Sequence, residues 1–99
     1  METRKRVQET VAYVEASLTA DVSLVGSTVS LSIKRPGVTD TWLPAGWVGT
    51  PTTSGVARTS STVAFTLAAY PPGDYLVRAK VVVGGETEIH DCYFLTVTP

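Results

Sequence analysis

The chain has 99 residues, of which 43% are apolar and 17% charged, and its formal net charge is −1. These totals fit one globular domain over residues 1–99, and they exclude a disordered chain and an overall positive field that would attract nucleic acid or anionic lipid. No apolar run reaches the roughly 20 residues that a membrane-spanning helix needs. Cys92 is the only cysteine, so the chain cannot form an internal disulfide, and a lone cysteine suits a reducing compartment.

The basic start, Met1–Arg6, does not continue into a signal peptide. Gln8, Glu9 and Glu15 interrupt the apolar residues that would form its hydrophobic stretch. We therefore expect a product that is neither exported by a signal peptide nor anchored in a membrane. Residues 1–6 are predicted to be a short basic arm in front of the domain.

Residues 6–18 carry two competing patterns. Val7, Val11, Val14 and Leu18 fall at helical spacing, whereas the many β-branched and aromatic residues of this segment favour a strand. Valine and threonine dominate the rest of the chain, and glycine and proline divide it into short pieces. That pattern is typical of a sandwich or a small barrel, so we predict a strand here, with a helix as the open alternative.

The middle of the chain predicts three strands and one irregular stretch. Residues 28–34 alternate cleanly between apolar and polar, and Pro36-Gly37 then turns the chain. Residues 56–58 and 62–67 are predicted to be two short strands. Residues 38–54 hold two tryptophans, two prolines and two glycines, so we expect a long loop, or a short strand around Trp47-Val48.

The last two strands are predicted to form a hairpin, residues 75–83 and 86–97, around Gly84-Gly85. On the first strand, Tyr75, Val77, Ala79 and Val81 share one apolar face, and on the second we group Ile89 with Tyr93, Leu95 and Val97. Only a loop with an odd number of residues brings these two faces to the same side. We therefore expect an odd loop with a glycine-supported bulge, and an outer side that carries Leu76, Cys92 and Phe94.

No constellation of residues predicts catalysis or a cofactor. His90-Asp91-Cys92 contains the residue types of a Cys/His pair, but a base reaches a thiol only in a supporting cleft, and nothing in the sequence predicts one. One His and one Cys cannot complete a four-ligand zinc site, and no glycine-rich loop precedes a helix. We expect no enzyme activity, no catalytic residue, no metal and no cofactor.

Contacts with other proteins are the better-supported function, and six residues are candidates for them. Trp42 is an open choice between covering the core and contacting a partner, whereas Trp47 is assigned to the core. Leu76 and Phe94 would form an apolar cluster on the outer side, although the N-terminal segment could cover them instead. The remaining candidates are the basic residues of the arm, which are either solvated or paired with an acidic neighbour: Arg4, Lys5 and Arg6.

Four motifs occur in an order that is known from one family. They are VQETVAYVEASL at residues 7–18, SLVGSTVSLSIKRPG at 23–37, PGDYLVRAKV at 72–81, and a terminal strand that ends in Val97. Together they resemble the small immunoglobulin-like virion proteins of tailed bacteriophages, and they are similar to the N-terminal domain of phage baseplate upper proteins. The likeness spans nearly the whole chain. It departs at Glu9-Thr10, where relatives often have Gly-Asp-Thr, and around residues 23–26, which affects the local turn more than the fold.

The resemblance implies an all-β, immunoglobulin-like β-sandwich of about seven antiparallel strands. It also implies a structural role in the virion, which assembles in the host cytoplasm: capsid decoration, or a place at the head–tail junction, in the tail or in the baseplate. The expected partners are major capsid, connector or tail proteins, in a homo-oligomer or a multi-copy array, without nucleic acid or membrane. The alternatives are a bacterial immunoglobulin-like adhesion or carbohydrate-binding module, which coplanar, exposed Trp42 and Trp47 would favour, and an enzyme built on Cys92 and His90.

Overall fold

The structure is a computed structural model that describes residues 1–99. It is all-β and has no helix, and strands make up 59% of the chain. No helix is therefore present that could cross a membrane. The nine strands are β1 (Thr3–Val7), β2 (Val11–Ala12), β3 (Glu15–Thr19), β4 (Thr28–Lys34), β5 (Trp42–Val48), β6 (Ser54–Thr59), β7 (Val63–Ala64), β8 (Gly73–Val83) and β9 (Glu86–Thr98). Residues 6–18 contain no helix, but the single strand predicted there is divided among β1, β2 and β3, with a turn at residues 8–9.

Seven strands form one curled sheet in the order β1-β9-β8-β4-β5-β6-β3, and β2 and β7 form a small second sheet. The large sheet is mixed, because β1 runs parallel to β9 while every other pair in it is antiparallel. The expectation of purely antiparallel strands was therefore wrong. The curl brings β3 back alongside β9, although the two strands stand far apart in the hydrogen-bonded order.

The core lies inside this curl and follows the predicted alternation. Val29, Leu31 and Ile33 of β4 are buried. Four alternate residues of β8, from Tyr75 to Val81, are at most 3% exposed and face the same side. β3 and β6 contribute small or flexible side chains from the opposite side, such as Ala16, Leu18 and Ala57. β4 and β8 are thus amphipathic, and their other face is left for contacts outside the core.

β5 is a seven-residue strand in a stretch that the sequence predicted to be mostly loop. Its first half pairs with β4 and its second half with β6, so it joins the two parts of the sheet. Pro44 fits because its carbonyl accepts a hydrogen bond from the Ser60 amide on the β6 side, and its missing N–H lies on that same side. Regular pairing with β6 begins only at Ala45, so no ladder bond is lost there.

The β8–β9 hairpin aligns its two apolar faces with an extra residue in strand β9, and not in the loop as predicted. Val83 pairs with Glu86, so the loop is the two-residue Gly84-Gly85, and both glycines have the positive φ that such a turn needs. The odd-loop prediction was wrong. The extra residue is Cys92, a β-bulge between the pairs Val77–Tyr93 and Arg78–Asp91.

The bulge changes which residues of β9 face the core. Tyr93, Leu95 and Val97 are buried as predicted, but Ile89 lies opposite Lys80 on the outer side and is 48% exposed. Cys92 is turned the other way, and its side chain packs against the core. The sequence assignment of both residues was therefore wrong, because the bulge shifts the alternation by one residue.

Candidate interaction surface

The outer face of β4, β8 and β9 brings two of the predicted interface residues together. Leu76 lies directly opposite Phe94 on one side and opposite Lys34 on the other. Leu76 is half-buried and Phe94 is 39% exposed. Directly opposite residues on one sheet face are close enough for their side chains to touch, so these two form an apolar pair on the outside of the domain. The N-terminal segment does not cover it, because β1 lies beside β9 in the sheet.

A network of ion pairs adjoins this apolar pair. Arg78 donates through Nε to Asp91 at 2.8 Å and through Nη1 to Asp40 at 2.6 Å. Asp40 also accepts a hydrogen bond from the hydroxyl of Ser32 at 2.9 Å, and Ser32 is fully buried. The hydrogen bond to Asp91 raises the pKa of Arg78 above its usual value. The guanidinium is thus fixed between two carboxylates and holds the β4–β5 loop against the sheet.

The two tryptophans of β5 point to opposite faces. Trp42 lies opposite Ser32 on the outer face, half-buried, with the Lys80 ammonium 5.0 Å from its ring centre. Trp47 packs partly against the core, and its indole N–H is 3.1 Å from the Ser27 hydroxyl. Trp42 therefore belongs to the same outer face as Leu76, and the two indoles form no coplanar pair.

The basic triplet is divided between two faces of a strand. Residues 3–7 form β1 and are not a free arm as expected. Arg4 and Arg6 lie opposite the core residues Leu95 and Val97, whereas Lys5 lies opposite Thr96 on the outer face. The Arg4 guanidinium sits 4.1 Å from the centre of the Tyr93 ring and donates to Glu2 at 3.1 Å. Arg4 and Arg6 therefore share the core-facing side of β1 and Lys5 is separated from them, so the triplet forms no single basic patch.

Cys92 and His90 do not form a nucleophile–base pair. The Cys92 thiol donates to the backbone carbonyl of His90 at 3.6 Å, and the nearest partner of the His90 ring is Glu88, with Nε2 and Oε2 3.3 Å apart. Burial raises the pKa of the Cys92 thiol to about 11, and the charge of Asp91 acts in the same direction. An activated nucleophile needs the opposite shift. No three His, Cys, Asp or Glu side chains are placed to share a metal ion.

Sequence reasoning missed one feature that fixes the start of β8. The Tyr75 hydroxyl donates to the carbonyl of Pro71, four residues earlier, and the Arg35 guanidinium lies 5.2 Å from the centre of the Tyr75 ring. A tyrosine at the start of a strand after Pro-Pro-Gly was a usable signal for this contact. The contact between Arg78 and Asp40 had no such signal, because it depends on how the β4–β5 loop folds over the sheet.

Comparison with models of known protein families and with curated proteins finds no match to the sequence. The likeness to the phage virion proteins stays a prediction that depends on the four motifs.

Proposed function

We propose that this chain is a non-enzymatic structural protein of a tailed-bacteriophage virion, and that it binds other virion proteins through the outer face of β4, β8 and β9. The observation that carries the proposal is the apolar pair Leu76–Phe94 on the same outer face as Trp42. Aromatic and large aliphatic side chains form the centres of protein interfaces, and fixed charges at their margin, such as Arg78 between its two carboxylates, supply orientation.

We also propose that the curled sheet is an immunoglobulin-like sandwich. Three features support this assignment. The chain crosses between distant parts of the large sheet from β3 to β4 and, by way of β7 in the small sheet, from β6 to β8. In addition, β5 contributes to both parts, and Tyr75 bonds back to Pro71. The last feature corresponds to the tyrosine corner of immunoglobulin-like domains. In this arrangement β1, β9, β8 and β4 make one layer, and β6 and β3 make the other.

The alternative is an adhesion or carbohydrate-binding module. A flat pair of indoles would favour it, and the opposite orientations of Trp42 and Trp47 weigh against it. The motif likeness favours the virion, where the expected partners are major capsid, connector or tail proteins and the chain is present in many copies.

The test is incorporation into particles. Particles made in the host of the phage that encodes this chain are purified, and the chain is quantified by mass spectrometry against the major capsid protein. We expect a fixed ratio for the wild type and a loss of at least about 10-fold for Leu76→Asp or Phe94→Asp, since a buried unpaired charge at an interface costs more than about 1.4 kcal/mol.

Leu67→Asp is the matched control, because Leu67 is also an exposed leucine, 69% accessible, and lies outside the proposed surface. It is expected to enter particles like the wild type. Absence of the wild-type chain from particles would overturn the virion assignment. Normal incorporation of Leu76→Asp and Phe94→Asp would overturn the proposed surface and leave the virion assignment standing.

A further inference from the structure

One half of β9 has no partner on the side away from β8. β1 pairs with Phe94–Thr98, and no strand is hydrogen-bonded to this side of β9 over residues 86–92. Because Val83 and Glu86 close a two-residue hairpin, residues 86, 88 and 90 direct their backbone groups to β8. The N–H and C=O groups of Thr87, Ile89 and Asp91 therefore point to the open edge. No proline or lysine lies on this edge, but the core-facing Glu86 and Glu88 and the bulge at Cys92 restrict indiscriminate pairing, and the end of β3 borders it on the core-facing side. A strand that pairs here therefore has to bring complementary charge.

β1 has an open edge of its own. The Phe94 amide donates to the Glu2 carbonyl at 2.9 Å and the Gln8 amide to the Thr98 carbonyl at 2.7 Å, so the even-numbered residues of β1 bond to β9. Thr3 and Lys5 direct their backbone groups outward. The outward Lys5 carbonyl accepts only the guanidinium of Arg6, at 3.1 Å.

The two edges lie end to end along one side of the sheet and carry opposite charges. The β9 half bears Glu86 and Glu88, and the groove between Glu88 and the end of β3 adds Asp21. The β1 half bears Arg4 and Arg6. Their side chains and those of Glu86 and Glu88 are on the same, core-facing side of the sheet, since they lie opposite Leu95, Val97, Val83 and Val81.

The edge also has a step, because β1 projects one strand beyond the open half of β9. A two-fold rotation perpendicular to the sheet places the β1 of a second copy in this step and the first copy's β1 in the corresponding step of the second. Strand directions then oppose each other, so each contact is an antiparallel pair. The same rotation brings basic halves against acidic halves, as a self-complementary interface requires.

We propose that two copies of this chain associate edge to edge, each inserting β1 against the open half of its partner's β9. Backbone bonds can form only where outward groups meet, that is between Thr3 or Lys5 of one copy and Thr87, Ile89 or Asp91 of the other. In the register that pairs Lys5 with Thr87, Arg4 lies across from Glu88 and Arg6 from Glu86. The inference goes beyond the proposed virion role, since it holds whether or not the chain is part of a particle.

Charge exchange at the Arg6–Glu86 pair tests the interface by sedimentation velocity. Arg6 is used because its only side-chain bond is to its neighbour's carbonyl. We expect Arg6→Glu alone and Glu86→Arg alone to weaken the dimer about 10- to 100-fold, because each creates like-charge pairs at two symmetric positions. The chain with both changes regains the dimer, and an equimolar mixture of the two single variants forms a mixed dimer.

Lys34→Glu and Glu9→Arg are the controls, because they make the same changes of charge at exposed or half-buried positions away from the edge. Thr87→Pro is a second probe: it removes an outward N–H that the folded monomer does not use, and it is expected to abolish the dimer while circular dichroism stays unchanged. Hydrogen exchange is expected to slow with protein concentration at the amides of Lys5, Thr87 and Ile89.

A wild-type chain that sediments as a monomer at about 0.1 mM, where a dissociation constant in the micromolar range gives a dimer, overturns the proposal. So does a dimer that Thr87→Pro leaves intact, or one that the double charge exchange fails to restore. Failure of this test leaves the virion role untouched, because that role is measured by incorporation into particles.

Discussion

Replacing Tyr75 by phenylalanine removes a single hydroxyl from the start of β8. The ring is 3% exposed and keeps its edge-on contact with Tyr70, whose ring centre is 5.7 Å away. Two hydrogen bonds are lost: the one that the hydroxyl donates to the Pro71 carbonyl, and a long one that it accepts from the Arg35 guanidinium at 3.4 Å. The Pro71 carbonyl then keeps only Arg35, also at 3.4 Å. The substitution therefore removes one good and one weak hydrogen bond and leaves the packing intact.

The expected cost follows from that difference. A buried hydrogen bond contributes about 1 kcal/mol net, and the weakly satisfied carbonyl adds to the loss, so Tyr75→Phe is expected to lower the free energy of unfolding by about 1–2 kcal/mol. For a domain of this size that corresponds to a fall in Tm of about 5–15 °C. Urea denaturation followed by tryptophan fluorescence, and a thermal scan, measure the two quantities independently.

Tyr70→Phe is the matched control. Tyr70 is part of the same aromatic cluster, with Phe65 at 5.4 Å, but its hydroxyl makes no hydrogen bond. We expect its stability to change by less than about 0.5 kcal/mol. If the two variants lose stability equally, the Tyr75–Pro71 contact does not fix the start of β8, and the strongest support for the immunoglobulin-like assignment is gone.

Three further outcomes are expected elsewhere in the fold. Glu9 is held at φ 72° as the third residue of a turn that is closed by a hydrogen bond from the Thr10 amide to the Val7 carbonyl. Glu9→Gly should therefore raise the free energy of unfolding by about 1 kcal/mol, whereas Glu9→Ala should not. Equal effects of the two substitutions would contradict backbone strain at Glu9. Gly55→Ala would place a Cβ 2.9 Å from the Trp47 ring, so we expect a loss of about 1–3 kcal/mol and a shift in tryptophan emission, and an unchanged unfolding curve would refute the close contact. Cys92 is expected to react with iodoacetamide at pH 8 about 100-fold more slowly in the folded than in the unfolded chain, because its pKa rises from 9.0 to about 11. The raised pKa favours the protonated thiol in the folded state, so the contribution of Cys92 to stability is lost as the pH rises through this interval. Equal reaction rates in the two states would contradict the burial of the thiol.

The hairpin shows what the sequence could and could not predict. The apolar positions of β8 and β9 required one extra residue between their two faces, and that requirement was correct. Parity alone cannot tell whether the extra residue lies in the loop or in a bulge. Grouping Ile89 with Tyr93 put it in the loop, but the structure exposes Ile89 and places the bulge at Cys92.

The predictions for β5 and for the basic triplet failed for a different reason, since both depend on contacts between distant segments. Pro44 and Gly46 are unfavourable in a strand, so the sequence did not predict the full length of β5. The strand is stabilised by pairing on both sides, with β4 and with β6. The triplet Arg4-Lys5-Arg6 suggested a patch, but pairing with β9 divides it between two faces. By contrast, Leu76 and Phe94 were predicted together correctly, because the alternation of β8 fixes the face of Leu76 and the register beyond the bulge fixes that of Phe94.

The parallel pairing of β1 with β9 determines how the chain responds to tension. β1 begins beside Phe94, and β9 ends beside Val7, so the two termini leave the sheet in opposite directions. A force that pulls the termini apart slides β1 along β9 and loads all the hydrogen bonds between them at the same time. Bonds that must break together resist far more force than bonds that open one after another, so a copy tethered by both ends would behave as a mechanical clamp.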